Sequence, residues 1–284
     1  MHILKPQKAN IFKPIVITPV STLELPNFKE LWEYRDLFIF LFIRDLKLRF
    51  QQTFIGIAWI ALQPIIQMLI FYVILGVIVK VPTGHIPYPI FFLSGFIVWQ
   101  MFSQIVNSSA YSLTQNIGVI TKTYFPRLVL PLASSAGSII DFLVSIVLLL
   151  ILMALNNYWI TLRFLLLPCL VILTMVFSSG VGLLFGALMV SFRDTKNLLN
   201  FILLIWFYLT PIIYPITIVP EQYRFLLRMN PLTPLVETYR WVFLGEGVLP
   251  PIQHFMLSFV VATIIWLVSA VYFRSMENKI ADVM

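Results

Sequence analysis

The segment RDLKLRFQQTFIGIAWIALQP, residues 44–64, changes character at Arg49. Four charged residues fall within its first six positions, and no further charged residue occurs between Arg49 and Lys80. About 20 mostly apolar residues suffice to cross a bilayer as a helix. The segment therefore predicts a basic helix at a membrane surface that leads directly into a membrane-spanning helix.

The composition of the whole chain extends this interpretation. Its 284 residues are 60% hydrophobic and only 11% charged, whereas soluble domains carry about 25% charged residues. We therefore expect a membrane protein. The single cysteine, Cys169, excludes an internal disulfide and a thiol metal site. Residues 1–28 are expected to form a cytoplasmic tail without the apolar core of a signal peptide, and residues 29–284 one membrane domain.

Six apolar runs are long enough to be membrane-spanning helices, and no alternating pattern typical of outer-membrane β-barrel strands occurs. The fold class predicted is all-α, a polytopic membrane protein with six transmembrane helices. The predicted spans are 55–79, 86–106, 128–155, 164–192, 198–219 and 252–273.

The basic residues predict the orientation of these spans. With the N-terminus inside, 14 of the 19 Lys and Arg residues lie in cytoplasmic segments, as the positive-inside rule requires. Both termini are therefore expected in the cytoplasm, and the net charge of +7 is explained by topology rather than by nucleic-acid binding. Residues 29–50 predict an amphipathic interface helix on the cytoplasmic membrane surface. The alternative is an early start of the first membrane helix.

Three of the predicted spans carry a polar face, which has to meet protein or water rather than lipid. These faces indicate either hydrogen bonding between helices or a polar pathway, and taken together they favour a pathway. Asp141 is the only acid deep within a span, and we expect it to be structural or to face the pathway. The faces comprise Gln52, Gly56, Trp59, Gln63 and Gln67; Gln100, Ser103, Gln104, Asn107 and Tyr111; and Ser134, Ser138, Asp141 and Ser145.

Two further patterns concern packing. Ser178, Gly182 and Gly186 form a ridge of small residues that favours close helix contact, within one chain or between two copies. Residues 220–251 are too apolar for a solvated loop, and their prolines predict two short helices, 221–229 and 235–244. We expect these helices to form a re-entrant or surface-lying hairpin on the outer side.

No catalytic or metal-binding pattern is present in the sequence. It contains no GxxxxGK[ST] phosphate loop, no GxSxG nucleophile elbow and no closely spaced histidines or paired acids. We therefore expect a protein that is not an enzyme and holds no metal or cofactor. If ATP drives its function, a separate chain has to hydrolyse it.

Three stretches resemble one known family. They are LWEYRDLFIFLFIRDLKLRFQQTFIGIAWIALQP at 31–64, TKTYFPRLVLPLA at 121–133 and NPLTPLVETYR at 230–240. They are similar to the membrane subunit of ABC-2-type exporters of lipid-linked polysaccharide, and the resemblance covers roughly residues 15–284. It implies a multi-pass protein of the inner membrane whose cargo is a lipid-linked polysaccharide, with O-antigen preferred.

The resemblance also implies partners. The permease is expected to form a homodimer with two copies of a nucleotide-binding subunit, which holds the ATP and Mg²⁺. In such permeases a coupling helix between the second and third spans docks into the ATPase, here within residues 112–127. The candidate contacts are Asn116, Ile117, Val119, Ile120, Lys122, Tyr124 and Phe125.

Aromatic rings and amides suit sugars, whose C–H faces stack on rings while their hydroxyls bond to polar groups. The polar faces therefore predict the channel residues, and two tyrosines of the fifth span are added to them. Arg44 and Arg49 are candidates for the lipid diphosphate, with contact to membrane lipids as the equal alternative. The predicted channel residues are Trp59, Gln63, Gln67, Trp99, Gln100, Gln104, Tyr111, Tyr208 and Tyr214.

Other functions remain open on the sequence alone. An ABC-2 exporter of a drug or small molecule shares the predicted architecture, and teichoic acid or capsule are alternative polymers. A proton-coupled flippase of lipid-linked sugars is disfavoured because Asp141 has no ionisable companion in the predicted spans. A membrane glycosyltransferase is disfavoured because a pair of metal-binding acids is missing.

Overall fold

The computed structural model describes residues 28–51, 56, 58–120, 125–192, 194–245 and 252–276. Within these ranges the chain is helical and contains no β-strand. The predicted all-α class is confirmed. The helices are α1 (Phe28–Glu33), α2 (Arg35–Phe50), α3 (Ala58–Phe71), α4 (Tyr88–Gln115), α5 (Ile117–Ile120), α6 (Val129–Ala136), α7 (Ser138–Leu155), α8 (Leu167–Ser191), α9 (Thr195–Leu209), α10 (Glu221–Met229), α11 (Leu232–Leu244) and α12 (Ile252–Ser275).

Five helical segments in the described part of the chain are long and apolar enough to cross a membrane. Three of them join consecutive elements: α3 continues into a π-helical segment, α6 and α7 form one span around Gly137, and a 3-10 helix (Leu162–Leu166) leads into α8. The multi-pass prediction is therefore confirmed. The five segments are Ala58–Ile78, Tyr88–Gln115, Val129–Leu155, Leu162–Ser191 and Ile252–Ser275.

The second span is longer than predicted. The prediction ended it at residue 106, where polar side chains become frequent, but α4 continues as an unbroken helix to Gln115. The polar side chains of the extra turns are satisfied within the helix, because they bond to the backbone of the preceding turn, as Asn107 does to the carbonyl oxygen of Ser103 at 2.8 Å. Mean hydropathy alone ends such a helix too early.

The fifth span is shorter than predicted. The prediction placed it at 198–219, but α9 ends at Leu209 after 15 residues, and Thr210 is extended. Pro211 follows, and a proline disfavours helical geometry in the residue before it. Its missing N–H group also removes a helical hydrogen bond. A 15-residue helix rises only about 22 Å, so α9 is an apolar helix below spanning length.

The bundle is built around α4, most of whose side chains are buried, and α8 packs along it. The ridge of small residues permits this contact. A Cβ atom added to Gly182 would lie 2.5 Å from the Ser109 Cβ, and one added to Gly186 would meet the Ala110 backbone at 3.4 Å. The ridge is therefore used within one chain, which removes it as an indication of a dimer.

The two ends of the bundle differ, and each is named here by its elements. The α2 end carries α2, α5 and the start of α6, where an apolar cluster includes Leu41, Phe125 and Phe273. The hairpin end carries α10 and α11. Here the predicted pair of short helices is observed, with the second beginning at Leu232 rather than 235.

The helices of the hairpin are placed differently. None of the described side chains of α10 is buried, whereas most of α11 is buried and contacts α4 and α8. The hydroxyl groups of Tyr239 on α11 and Thr174 on α8 lie 3.2 Å apart. The hairpin therefore has one buried and one exposed helix, and its placement as re-entrant or surface-lying stays a prediction.

The segment predicted to be an interface helix is helical, as α1 and α2, and its position at a membrane surface stays a prediction. Leu37, Phe38 and Leu41 pack on the apolar cluster of the α2 end, while Ile39 and Phe40 are exposed. The charged side chains of α2 do not all lie on one outward face, because Arg44 and Asp45 point toward the bundle.

Candidate functional site

A polar groove runs along one side of α4. It consists of two adjoining cavities of about 710 Å³ and 560 Å³, which share Gln63, Ser103, Gln104 and Asn107 in their walls. The α4 residues that line it extend from Phe96 to Gln115. At 1.5 Å per residue they cover about 28 Å, which is close to the thickness of a bilayer's hydrocarbon core.

Most of the predicted channel residues lie in this groove, although their role in transport stays a prediction. Trp59 and Tyr214 are not in the walls of either cavity: Trp59 is 55% exposed on α3, and the Tyr214 hydroxyl donates to the Tyr208 carbonyl oxygen at 3.1 Å. The predicted residues that line the groove are Gln63, Gln67, Trp99, Gln100, Gln104, Tyr111 and Tyr208.

Aromatic rings form the wall of the smaller cavity. The Trp99 and Phe207 rings meet edge to face with centroids 5.4 Å apart, and Phe207 also lies 6.0 Å from Phe71. Tyr208 follows on α9, with its ring 5.3 Å from that of Phe207. The hydroxyl of Ser145 lies 3.4 Å from the Gln100 side-chain oxygen behind this wall. Rings and amides therefore stand side by side, as the sequence patterns predict.

An ion pair closes the larger cavity at the α2 end. Arg49 Nη2 donates to Asp141 Oδ2 at 2.6 Å; the Asp141 side chain is 1% exposed, whereas that of Arg49 is 43% exposed and lines the cavity. Gln104 adjoins the same carboxyl group. The expectation concerned companions within the predicted spans; the ionisable partner of Asp141 is Arg49, which α2 supplies from outside them.

Arg44 has a different environment from Arg49. Its guanidinium donates to Asp45 Oδ1 at 2.7 Å and to the Asn116 side-chain oxygen at 2.5 Å, and its side chain is 26% exposed. Ser134 donates to the second oxygen of Asp45 at 2.9 Å. Arg44 therefore joins α2 to the end of α4 and, through Asp45, to α6. Arg49 lines the larger cavity and is the more exposed of the two, so it is the better placed for an anionic ligand.

The predicted ATPase contacts fall into three groups. Ile117 is 38% exposed and Val119 is half-buried. Asn116, Ile120 and Phe125 are buried because Asn116 bonds within the chain and the two apolar residues complete the cluster at the α2 end. In the structure these three side chains occupy supporting positions, and their contact with an ATPase stays a prediction. Lys122 and Tyr124 lie outside the described residues.

The structure adds groove residues that the sequence did not single out. Asn200 and Phe207 come from α9, and Asp45 comes from α2. Asn200 follows Asn197 by about one turn at the start of α9, and it is a polar signal of the same kind as Gln100 on α4. The sequence did not indicate Asp45 as a groove residue, because its charge was explained by the predicted helix at the membrane surface.

The chain is similar to known membrane transport proteins over most of its length. The family model described as ABC-2 type transporter matches residues 36–244. The O-antigen export system permease protein RfbA of Myxococcus xanthus is 31% identical over 258 residues, which is 89% of this chain and 97% of the relative. RfbA of Klebsiella pneumoniae is 27% identical, with 88% and 95% coverage. The polysialic acid transport protein KpsM of Escherichia coli is 29% identical, with 74% and 80% coverage.

The matched region extends from the interface helix to the end of α11 and contains both cavities of the groove, α5 and the hairpin. It covers far more than half of the chain, and the Myxococcus relative is matched almost from end to end. The chain therefore belongs to the ABC-2 type transporter family.

Proposed function

We propose that this chain is the membrane-spanning permease of an ATP-driven exporter that moves a lipid-linked polysaccharide, preferably O-antigen, from the cytoplasm across the inner membrane. Two copies of the chain would assemble with two copies of a separate ATPase subunit. Both termini, α5 and the α2 end would lie on the cytoplasmic side, and the hairpin would lie outside. The family membership and the similarity to the O-antigen export permease RfbA and the polysialic acid transport protein KpsM support this proposal.

The observation that carries the proposal is the groove along α4. A sugar polymer exposes many hydroxyl groups, and each unpaired hydroxyl costs several kcal/mol in an apolar medium, about 4–8 kcal/mol on the water-to-cyclohexane scale. A path through the membrane therefore has to offer polar partners along its length. The groove offers amides and hydroxyls over about 28 Å of α4.

The aromatic part of the groove suits the same cargo. Rings such as those of Phe71, Phe207 and Tyr208 present flat apolar surfaces next to the amides of Gln67 and Asn200. A sugar ring has the matching arrangement, with C–H groups on its faces and hydroxyls at its edge. Flat surfaces hold no particular sugar sequence, so a repetitive polymer can advance past them.

The charged end of the groove suits the lipid anchor. Arg49 lines the larger cavity with an accessible side chain and is held in place by Asp141. A guanidinium binds phosphate oxygens in a bidentate manner. We assign the lipid diphosphate to the neighbourhood of Arg49 rather than of Arg44, because Arg49 lines the larger cavity and has the more exposed side chain.

The cargo assignment is tested by removing one ring from the groove. Tyr208 is 52% exposed and lines the smaller cavity, while Tyr223 is 53% exposed on α10, outside both cavities. Tyr208→Ala should lower surface polysaccharide about two- to tenfold, since an aromatic contact contributes about 0.5–1.5 kcal/mol. Tyr223→Ala, the matched control, should leave it unchanged. Normal polysaccharide levels in the Tyr208 variant, at wild-type protein abundance, would contradict the assignment.

The ATPase partner is tested by purifying the chain from its native membrane in mild detergent. An equimolar partner that carries a phosphate loop is expected, and export in vesicles should stop when ATP is removed. Export that persists without ATP but stops with an uncoupler would instead indicate a proton-coupled flippase.

A further inference from the structure

Asn116 occupies the junction between α4 and the short helix α5. Its side-chain amide donates to the Ser112 carbonyl oxygen at 2.8 Å, within the last turn of α4. Its backbone carbonyl oxygen accepts hydrogen bonds from the backbone N–H groups of Val119 and Ile120 at 3.0 and 3.1 Å. The residue is 7% exposed. Because it bonds in both directions, Asn116 has to move together with residues 117–120.

Arg44 connects this junction to α2. It bonds to the Asn116 side-chain oxygen across 72 positions of sequence, and Asp45 neutralises its charge. Asp45 is in turn fixed to α6 by the hydroxyl of Ser134. A hydrogen bond between a cation and an amide is stronger than one between neutral groups. The contact therefore resists separation when either side moves.

The helix that carries Arg44 also forms a wall of the groove. Phe42, Asp45, Leu46, Leu48 and Arg49 of α2 all line the larger cavity. The helix is continuous from Arg35 to Phe50, and a helix transmits displacement along its axis and flank as a stiff element. A shift imposed on Arg44 is therefore expected to move the cavity wall as well.

We propose that the Arg44–Asn116 hydrogen bond is the link through which residues 117–120 drive α2 and thereby change the opening of the groove. The inference rests on the proposed function, in which residues 117–120 dock on the ATPase. Arg44 and Asn116 are positioning residues in this scheme and contact neither nucleotide nor cargo. The ATPase moves the exposed surface at Ile117 and Gly118, Asn116 transmits the movement, and α2 changes the larger cavity.

The test uses the complete permease–ATPase complex in proteoliposomes. Asn116→Leu removes the acceptor for Arg44 and should lower polysaccharide export at least tenfold, while ATP hydrolysis stays within about twofold of wild type. Asn116→Asp retains an acceptor oxygen and should retain export. Lys47→Ala changes an exposed side chain of the same helix and should leave both activities unchanged. Arg44→Met breaks the link from the other side and should reproduce Asn116→Leu even if the latter folds poorly.

A distance measurement makes the inference independent of cargo. Spin labels at Lys47 on α2 and at Leu143 on α7, both exposed, should change separation when ATP is added to the wild-type complex. The change should disappear in Asn116→Leu and Arg44→Met. If both variants keep the ATP-dependent change, or export at the wild-type rate, the link is refuted. Loss of the ATPase subunit from both variants would also refute it, since Asn116 would then be a docking contact.

Failure of the proposed function has a different signature. In that case the wild-type complex would show no ATP-dependent export of polysaccharide at all. The spin-label distances would still report whether Arg44 and Asn116 couple residues 117–120 to α2.

Discussion

Arg49 and Arg240 each place a guanidinium against the bundle, one at the α2 end and one at the hairpin end, and their partners differ in kind. Arg49 is 43% exposed and pairs with a carboxylate on α7. Arg240 is 7% exposed and donates to the backbone carbonyl oxygens of Pro211 and Ile212 at 2.7 and 2.6 Å. Its guanidinium also lies 3.8 Å from the centroid of the Phe91 ring.

The partners of the two arginines indicate that Arg240 makes a fixed contact and Arg49 an exchangeable one. The carbonyls of Pro211 and Ile212 are free for Arg240 because α9 has ended, so Arg240 completes the turn after α9. Gly95 makes room for it, since a Cβ atom there would lie 2.6 Å from Arg240 Nη2. The Arg49 pair joins two helices at a cavity wall, where an anionic ligand can compete with Asp141. We infer that the contacts of Arg240 at the hairpin end stay fixed, whereas the Arg49–Asp141 pair at the α2 end can open.

The largest effect is expected at the hairpin end. Arg240→Ala removes two charge-assisted hydrogen bonds to buried carbonyls, each contributing about 1.5–3 kcal/mol. The variant should therefore fail to fold, or its thermal midpoint in detergent should fall strongly. Arg35→Ala, at an arginine whose side chain is 56% exposed, is the control and should shift the midpoint little. A normal midpoint for Arg240→Ala would remove the distinction between the two ends.

A smaller and asymmetric effect is expected at the α2 end. Arg49→Ala leaves a buried carboxylate unpaired, at a cost of about 3–5 kcal/mol when the charge stays uncompensated; cavity water or protonation of Asp141 would reduce this cost. Asp141→Asn leaves a cation that can reach the cavity and should cost clearly less. The thermal midpoints of the two single variants, and of a double variant that combines Arg49→Met with Asp141→Leu, measure how unequal the two losses of stability are. Equal losses for both single variants would mean that Arg49 is as enclosed as Asp141.

The smallest effect concerns pH at the hairpin end. Burial raises the pKa of the Glu237 carboxyl to about 7, and the nearby charges of Arg240 and Arg228 partly oppose the shift. Between its ordinary value near 4.5 and 7, the folded state binds more protons than the unfolded state, so stability should fall as the pH rises. Glu237→Gln should flatten this part of the profile. A variant profile that still falls over this range would assign the dependence to other groups.

Much of the architecture could be predicted because it follows from local composition. Apolar length predicted the spans around Ala58–Ile78 and Ile252–Ser275 closely. The three- and four-residue spacing of Gln100, Gln104 and Asn107 predicted one shared polar face, and the structure places all three in the groove. These properties reside within single helices, where sequence distance and spatial distance are tied together.

The remaining features depend on contacts between distant residues. Arg49 and Asp141 are 92 positions apart, and no local pattern pairs them. Phe125 looked like a docking residue because its loop is apolar, whereas its side chain completes the cluster with Leu41 and Phe273. The end of α9 at Leu209 depends partly on Arg240, which supports the broken backbone from α11. Polarity indicated which residues need partners, but not which partners they find.

The short helix α9 has a consequence for the energy of transport. Its 15 residues rise about 22 Å, whereas a hydrocarbon core is about 30 Å thick. Beyond Leu209 the chain leaves α-helical geometry at Thr210, so the apolar helix beside the groove falls short of the core thickness by roughly a quarter. In the proposed exporter, fewer sugar units would then be out of reach of bulk water at any moment. Each ATP-driven step would have to move a shorter dehydrated stretch of polymer.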